Sequence, residues 1–313
     1  MPDETDDYGR KAQPSERDLG PSAFLPDFQR AVRDYKVAAL DCDFDPKSEA
    51  VLRAGLEKSH ALLLGEVHGV EQTPNIIYTL FKKFGFRHLA LEGADDMNDW
   101  ADKFTSGKGD ALDFGGIHDT CGGGIMPGHL AVIQQLKKEG LLDKLTFFHP
   151  TIRFEDDDNE SRDRLMAEKL QSRLSDAPTL VITGSHHATR EHSPGLPGGA
   201  EYPMGYHLKQ TTPGIQAGRI DALSGQFFGM YGDARITGAG DFTDRSSQSP
   251  DGKPRFLYNE QKDSFVLELP KALPARALRY YTETWPETPA RSAALEGSGQ
   301  KSPERALQNN NKP

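Results

Sequence analysis

The chain has 313 residues, 36% of them hydrophobic, enough to bury the core of one large domain or two small ones. Its formal net charge is -10 and no lysine or arginine cluster stands out, which argues against nucleic acid and against an anionic membrane surface, both of which are gripped through basic patches. No apolar run reaches the roughly 18 residues that a spanning helix needs. The opening residues lack the basic and apolar stretches of a secretory signal peptide. The two cysteines, Cys42 and Cys121, form no C-x-x-C pair, so a disulfide framework and a cysteine-rich zinc site are excluded. The expected location is the cytoplasm, or export through a specialised secretion system.

In chain order, residues 1–22 are polar and charged and read as a disordered tail. Residues 61–65 (ALLLG) form a short apolar run, the mark of a buried strand. Pro74 suits the first turn of a helix through NIIYTLFKKF, and Gly85 ends it. Residues 87–92 (RHLALE) give a second strand, so this βαβ unit predicts parallel, neighbouring strands joined by a right-handed crossover. A helix at 129–139, a strand at 145–149, a helix at 161–174 and a strand at 179–183 follow. Later strands fall at 218–223 and 264–269, the last read as an antiparallel edge. Residues 241–254 read as a long surface loop and 289–313 as a second disordered tail. The alternation predicts an α/β fold, a mostly parallel central sheet flanked by helices, with residues 23–288 as one domain between disordered N- and C-terminal tails.

In open parallel sheets, sites form beyond the carboxyl ends of the strands. The first predicted strand ends in Gly65-Glu66-Val67-His68-Gly69, the second in Glu92-Gly93, the third in His149-Pro150 and the fourth in Gly184-Ser185-His186-His187. Glu66 and His68 are two apart, so in extended chain they face one side. A carboxylate beside an imidazole fixes its tautomer and raises its basicity. Glu92, on a strand expected to pair with the first, is placed beside Glu66, where two like charges would push one carboxyl pKa upward.

Blander readings exist for single residues. An acidic residue at a strand end often caps the next helix, as Glu92 alone could. His60, His88 and His118 read as packing, and His149 stays open between packing and the site. The coincidence of Glu66, His68, Glu92 and His186 or His187 at successive strand ends is harder to explain as packing. The acidic run Glu155–Asp158 does not match a calcium loop, and Gly122–Gly124 lacks the Lys-Ser/Thr of a phosphate loop. Ser185 is not in a G-x-S-x-G elbow.

Four motifs occur in order: LLLGEVHG, LALEG, SRDRLMAEKL and LVITGSHHA. Together they resemble the superfamily that joins erythromycin esterases, ChaN-like haem-binding proteins and the Tiki/TraB group, over roughly Leu62 to Leu208. Carried over by position, Glu66 and His68 match the first-strand pair and Glu92 the second-strand glutamate. Arg162 and Asp163 match the Arg-Asp pair that opens the third motif, and His187, or else His186, matches the histidine after the fourth strand. The esterase branch implies a histidine that activates water with help from glutamates. The Tiki branch implies a metal-dependent protease site, and the ChaN branch implies haem. The esterase motif places two residues between Glu and His, whereas here only Val67 intervenes, as in the ChaN branch. Some proteins of the superfamily also resemble bacterial effectors or toxins.

The leading expectation is a hydrolase of esters or related bonds acting on a small molecule without a required cofactor. His68 serves as general base oriented by Glu66, Glu92 holds the water or acts as the acid, and His187 with Arg162 polarises the carbonyl. A metal variant would use Glu66, His68, Glu92 and His187 as ligands to a divalent ion. The same residues also allow a haem-binding protein with an axial histidine, and the resemblance allows a secreted effector. Oligomeric state is not written in the sequence.

Overall fold

A computed structural model describes residues 25–113, 125–151, 159–174, 176–194, 200–229, 232–235 and 252–275. The expected tails at 1–22 and 289–313, most of the loop at 241–254, and Cys121, His118, Gly122–Gly124 and Glu155–Asp158 lie outside the described residues.

Seven helices are described: α1 (Leu25–Asp34), α2 (Pro46–Ser59), α3 (Thr73–Phe84), α4 (Asn98–Thr105), α5 (Pro127–Lys138), α6 (Asn159–Gln171) and α7 (Met204–Thr211). They alternate with β1 (Asp43–Phe44), β2 (Ala61–Glu66), β3 (His88–Ala94), β4 (Lys144–His149), β5 (Thr179–Gly184), β6 (Gln216–Ala222), β7 (Gln226–Gly229), β8 (Gly232–Arg235), β9 (Arg255–Asn259) and β10 (Ser264–Leu269). Local chemistry sets several ends. The Asp45 side chain accepts the Ser48 amide at 2.8 Å and caps α2, with Pro46 in its first turn. Gly85 takes φ 73° to close α3, as the sequence predicts.

Eight strands form one sheet in the order β1-β9-β10-β6-β2-β5-β3-β4, while β7 and β8 form a separate antiparallel pair. From β10 to β4 every neighbouring pair is parallel. Two expectations are corrected. β2 and β3 are not neighbours, because β5 lies between them and pairs with both. β10 is not an edge, because β9 pairs with it antiparallel and β1 lies beyond. A two-residue β1 and the mixed stretch of β9 carry too little periodicity to announce themselves.

Alternation along β2 splits the core. Leu62 and Leu64 join a cluster with α1, α2, α3, α4 and α5, through residues such as Phe28, Leu52, Ile76, Phe104 and Leu130. Ala61 and Leu63 join a second cluster with Met166 and Leu170 of α6 and Met204 and Leu208 of α7. Each fully buried leucine contributes about 1.5–3 kcal/mol by leaving water. The layering positions the site. β2 sends its connection through α3 on one face, and the adjacent β5 sends its own through α7 on the other. Connections that diverge from neighbouring parallel strands open a crevice at their carboxyl ends. Among the described residues no helix is long and apolar enough to cross a membrane.

Candidate functional site

The crevice between β2, β5 and β3 gathers the ionisable groups. Glu66 ends β2 on the face of Leu62 and Leu64 and is only 2% exposed. The chain turns at Gly69, whose φ is 80°, and brings His68 back so that its Nδ1 lies 3.1 Å from Glu66 Oε1. The His68 Nε2 then points across β5 to Glu92 Oε2 at 3.8 Å. Glu92 owes its aim to β3. Glu92 follows Ala90 by strand alternation onto the face of α6 and α7, and the β3–β4 register slips between Leu91 and Ala94. Its Oε2 accepts the Thr183 hydroxyl at 2.7 Å and the Gly184 amide at 2.6 Å, both from β5.

A second histidine completes the group. His187, in the turn after β5, lies with Nε2 3.6 Å from Glu92 Oε1. Its Nδ1 pairs with Asp163 of α6, a side chain with no exposed surface. Glu92 therefore sits between two imidazoles, each backed on its Nδ1 by another carboxylate. Gly184 floors the space. A Cβ there would lie 3.3 Å from His68 Nε2, 3.4 Å from His187 Cδ2 and 3.6 Å from Glu92 Oε2. The glycine leaves room for a small atom among the three groups.

The electrostatics follow from these contacts. Burial works against a charged His68, yet the Glu66 hydrogen bond and the charges of Glu92 and Glu66 lift its pKa from 6.5 to about 9. Burial likewise opposes a charged His187, but the Asp163 bond and the charges of Glu92 and Asp163 raise it, with Arg162 opposing. Burial would raise Glu92, and it is overcome. The charges of His187 and His68, with the Thr183 and Gly184 donors, hold it at about 2. This corrects the expected carboxylate pair with one raised pKa. β5 separates the two strands, so Glu92 faces imidazoles instead of Glu66.

The remaining predicted residues divide. Arg162 lies in electrostatic reach of His187 and His149, with its Nε buried. His149, at the end of β4, lies in electrostatic reach of Glu92, Arg162 and His187, and burial pushes its pKa down. His186 turns elsewhere, its Nε2 on the Ala200 carbonyl at 3.0 Å. His88 is packing: wholly buried, its ring bonds Thr146 and Thr179. His60 ends α2 in the left-handed region at φ 56°.

Asp163 is marked in the sequence only by the family resemblance, and His129 of α5 is not marked as a site residue at all. Its one sequence signal is a histidine in the first turn of a helix that begins at Pro127. His129 is 2% exposed and in electrostatic reach of Glu66 and His68.

Among the described residues no group of three His, Cys, Asp or Glu side chains is placed to hold a metal ion. The Nε2 atoms of His68 and His187 face Glu92 at 3.8 and 3.6 Å, beyond hydrogen-bond distance.

No family model matches the sequence, and no curated protein matches it. Solved structures do share the fold. The chain is similar to a succinoglycan biosynthesis protein at 9% identity and a TM-score of 0.53, over 82% of this chain and 99% of that one. It is similar to an erythromycin esterase mutant in its open conformation at 11% identity and a TM-score of 0.50, over 74% of this chain and 95% of that one. At such identities the likeness is one of fold.

Proposed function

We propose that the chain is a hydrolase of ester or related bonds in a small molecule, with water activated by the His68–Glu66 pair. The observation that carries the reading is the paired arrangement around Glu92. Two histidines each have a carboxylate on Nδ1 and turn Nε2 toward one partly buried glutamate above a glycine floor. A carboxylate on Nδ1 orients the ring and stabilises the imidazolium formed when Nε2 takes a proton.

In this reading water lies over Gly184 with His68 Nε2 as its proton acceptor. The attacking oxygen bonds to the carbonyl carbon as its proton passes to Nε2. His187, charged and beside Arg162, donates to the carbonyl oxygen as negative charge develops there and then protonates the leaving alcohol. Glu92 keeps both rings aligned and, held at about 2, stays ionised without competing for the proton. His68 is the more open of the two rings, 30% exposed against 13% for His187, which suits it to meet water. The fold that the chain shares with an erythromycin esterase supports the same class of chemistry.

The test is turnover of a panel of esters and lactones by the wild type and by Glu92→Gln. Hydrolysis of one class, lost in the variant, is the expected result. No turnover of any ester, or equal turnover by both proteins, would remove the proposal.

A further inference from the structure

The hydrolytic reading leaves two buried polar atoms without a hydrogen-bond partner on the inner side of the first pair: Glu66 Oε2 and His129 Nε2. An unpartnered buried polar atom costs on the order of 1–3 kcal/mol, so a pair of them beside a reactive group calls for an explanation. The two are chemically complementary. The Met126 amide donates to His129 Nδ1 at 3.0 Å. A ring nitrogen that accepts a hydrogen bond carries no proton, so in the neutral ring the proton is on Nε2. His129 therefore offers one donor, and Glu66 Oε2 is an acceptor.

Their placement agrees. Glu66 projects to the face of Leu62 and Leu64, and α5 covers that face through Leu130 and Ile133. Both side chains are 2% exposed. The charges of Glu66 and His68 act on His129 from opposite directions, Glu66 favouring its proton and His68 opposing it, while burial dominates and keeps it neutral.

Resting on the hydrolase reading, we propose that His129 is a positioning residue for the Glu66–His68 pair, presenting its Nε2–H to Glu66 Oε2 through one water. A neutral donor there engages Oε2 and turns Oε1 toward His68 Nδ1 without adding a charge that would lower the basicity of His68. It also explains why a histidine stands in the first turn of α5, where it serves the Met126 amide on one side and Glu66 on the other.

The experiment compares His129→Phe with His129→Gln. Glutamine at this position can accept the Met126 amide, as it does in a capping box, and its amide group restores a neutral donor. Phenylalanine does neither. The first readout is independent of turnover: the nitrogen-15 shift and the proton shift of the His68 Nδ1–H. The bond to Glu66 shifts that proton downfield. His129→Phe is expected to lose the shift and His129→Gln to keep it. On an ester the wild type hydrolyses, kcat should fall on the order of 10–100-fold in His129→Phe with KM unchanged, as for outer partners of ligating histidines. His129→Gln should recover most of it. A His68 signal unchanged in His129→Phe overturns the proposal. So does a glutamine variant as impaired as phenylalanine at native melting temperature. If His129→Phe fails to fold, the glutamine variant and the wild-type tautomer decide. A wild-type His129 protonated on Nδ1 contradicts the proposal. A wild type that hydrolyses no ester removes the hydrolase reading instead, and the His68 signal still judges His129.

Discussion

Asp163, wholly buried on α6, pairs with Nδ1 of His187, just as Glu66 pairs with Nδ1 of His68. The two pairs reach the same crevice from opposite faces of the sheet, and only a divergence of the β2 and β5 connections allows that. Opposed pairs suit a reaction that takes a proton at one end and gives one at the other.

Asp163→Asn tests the second pair. The amide keeps the shape and removes the charge, so the His187 pKa should fall in a nuclear magnetic resonance titration. If His187 is the acid, kcat should drop on the order of 10²–10⁴-fold. An unshifted His187 would show that Asp163 serves only the fold.

The pH dependence of kcat/KM follows from the raised pKa of His68. His68 takes a proton only as the neutral ring and His187 gives one only as the charged ring, so the rate should climb with pH as His68 loses its proton, toward about 9, and decline once His187 has lost its own. Glu66→Gln removes what raises the pKa, so its climb should lie at lower pH and reach a lower maximum. The stability effect has the matching sign. A base raised from 6.5 to about 9 adds stability that is full below 6.5 and lost as pH rises through about 9. A rate that only falls toward pH 9, with no rising limb that moves in Glu66→Gln, would make His68 the acid and exchange the roles of the two rings.

Gly184→Ala places a methyl group 3.3 Å from His68 Nε2 and 3.6 Å from Glu92 Oε2. Those neighbours need shift only a few tenths of an ångström, so melting temperature should stay near that of the wild type. The space proposed for water is nevertheless taken, and misplacement on that scale costs on the order of 10²-fold in rate. A fully active Gly184→Ala would put the reacting atoms elsewhere.

His88 makes a prediction about the fold alone. Burial holds its pKa down at about 3, with Lys144 acting the same way. A base lowered in the folded state gives stability that is full above its ordinary value of 6.5 and lost as pH falls toward 3. Denaturant unfolding of His88→Gln between those limits should show a weaker acid dependence than the wild type. Equal slopes would mean that other groups govern acid unfolding.

The sequence shows β2 and its end plainly, because an apolar run that stops at Gly-Glu-Val-His marks both a buried strand and the polar edge beyond it. The α/β class follows from the alternation of such runs with amphipathic stretches. The insertion of β5 between β2 and β3 leaves no local mark, since a parallel ladder joins residues far apart in sequence. Strand order decides the neighbours of Glu92, so its partner and the direction of its pKa both differ from what sequence adjacency implies. His129 is hidden for a different reason: it reaches the site from a helix, whereas pattern points to strand ends. The interior position of β10 depends on β9, whose mixed composition shows no clear period, and on the two-residue β1, which is too short for pattern to reveal.

The most direct test is the rate of His68→Ala set against its thermal unfolding midpoint, with Leu63→Ala as control. Leu63 is fully buried in β2, so its truncation should destabilise by roughly 2–5 kcal/mol. His68 stands beyond the end of β2 and is 30% exposed. Its alanine variant should therefore melt close to the wild type while ester hydrolysis falls on the order of 10²–10⁴-fold. A His68→Ala protein that melts early, as Leu63→Ala does, but keeps full activity per folded molecule would make His68 a packing residue and contradict the account.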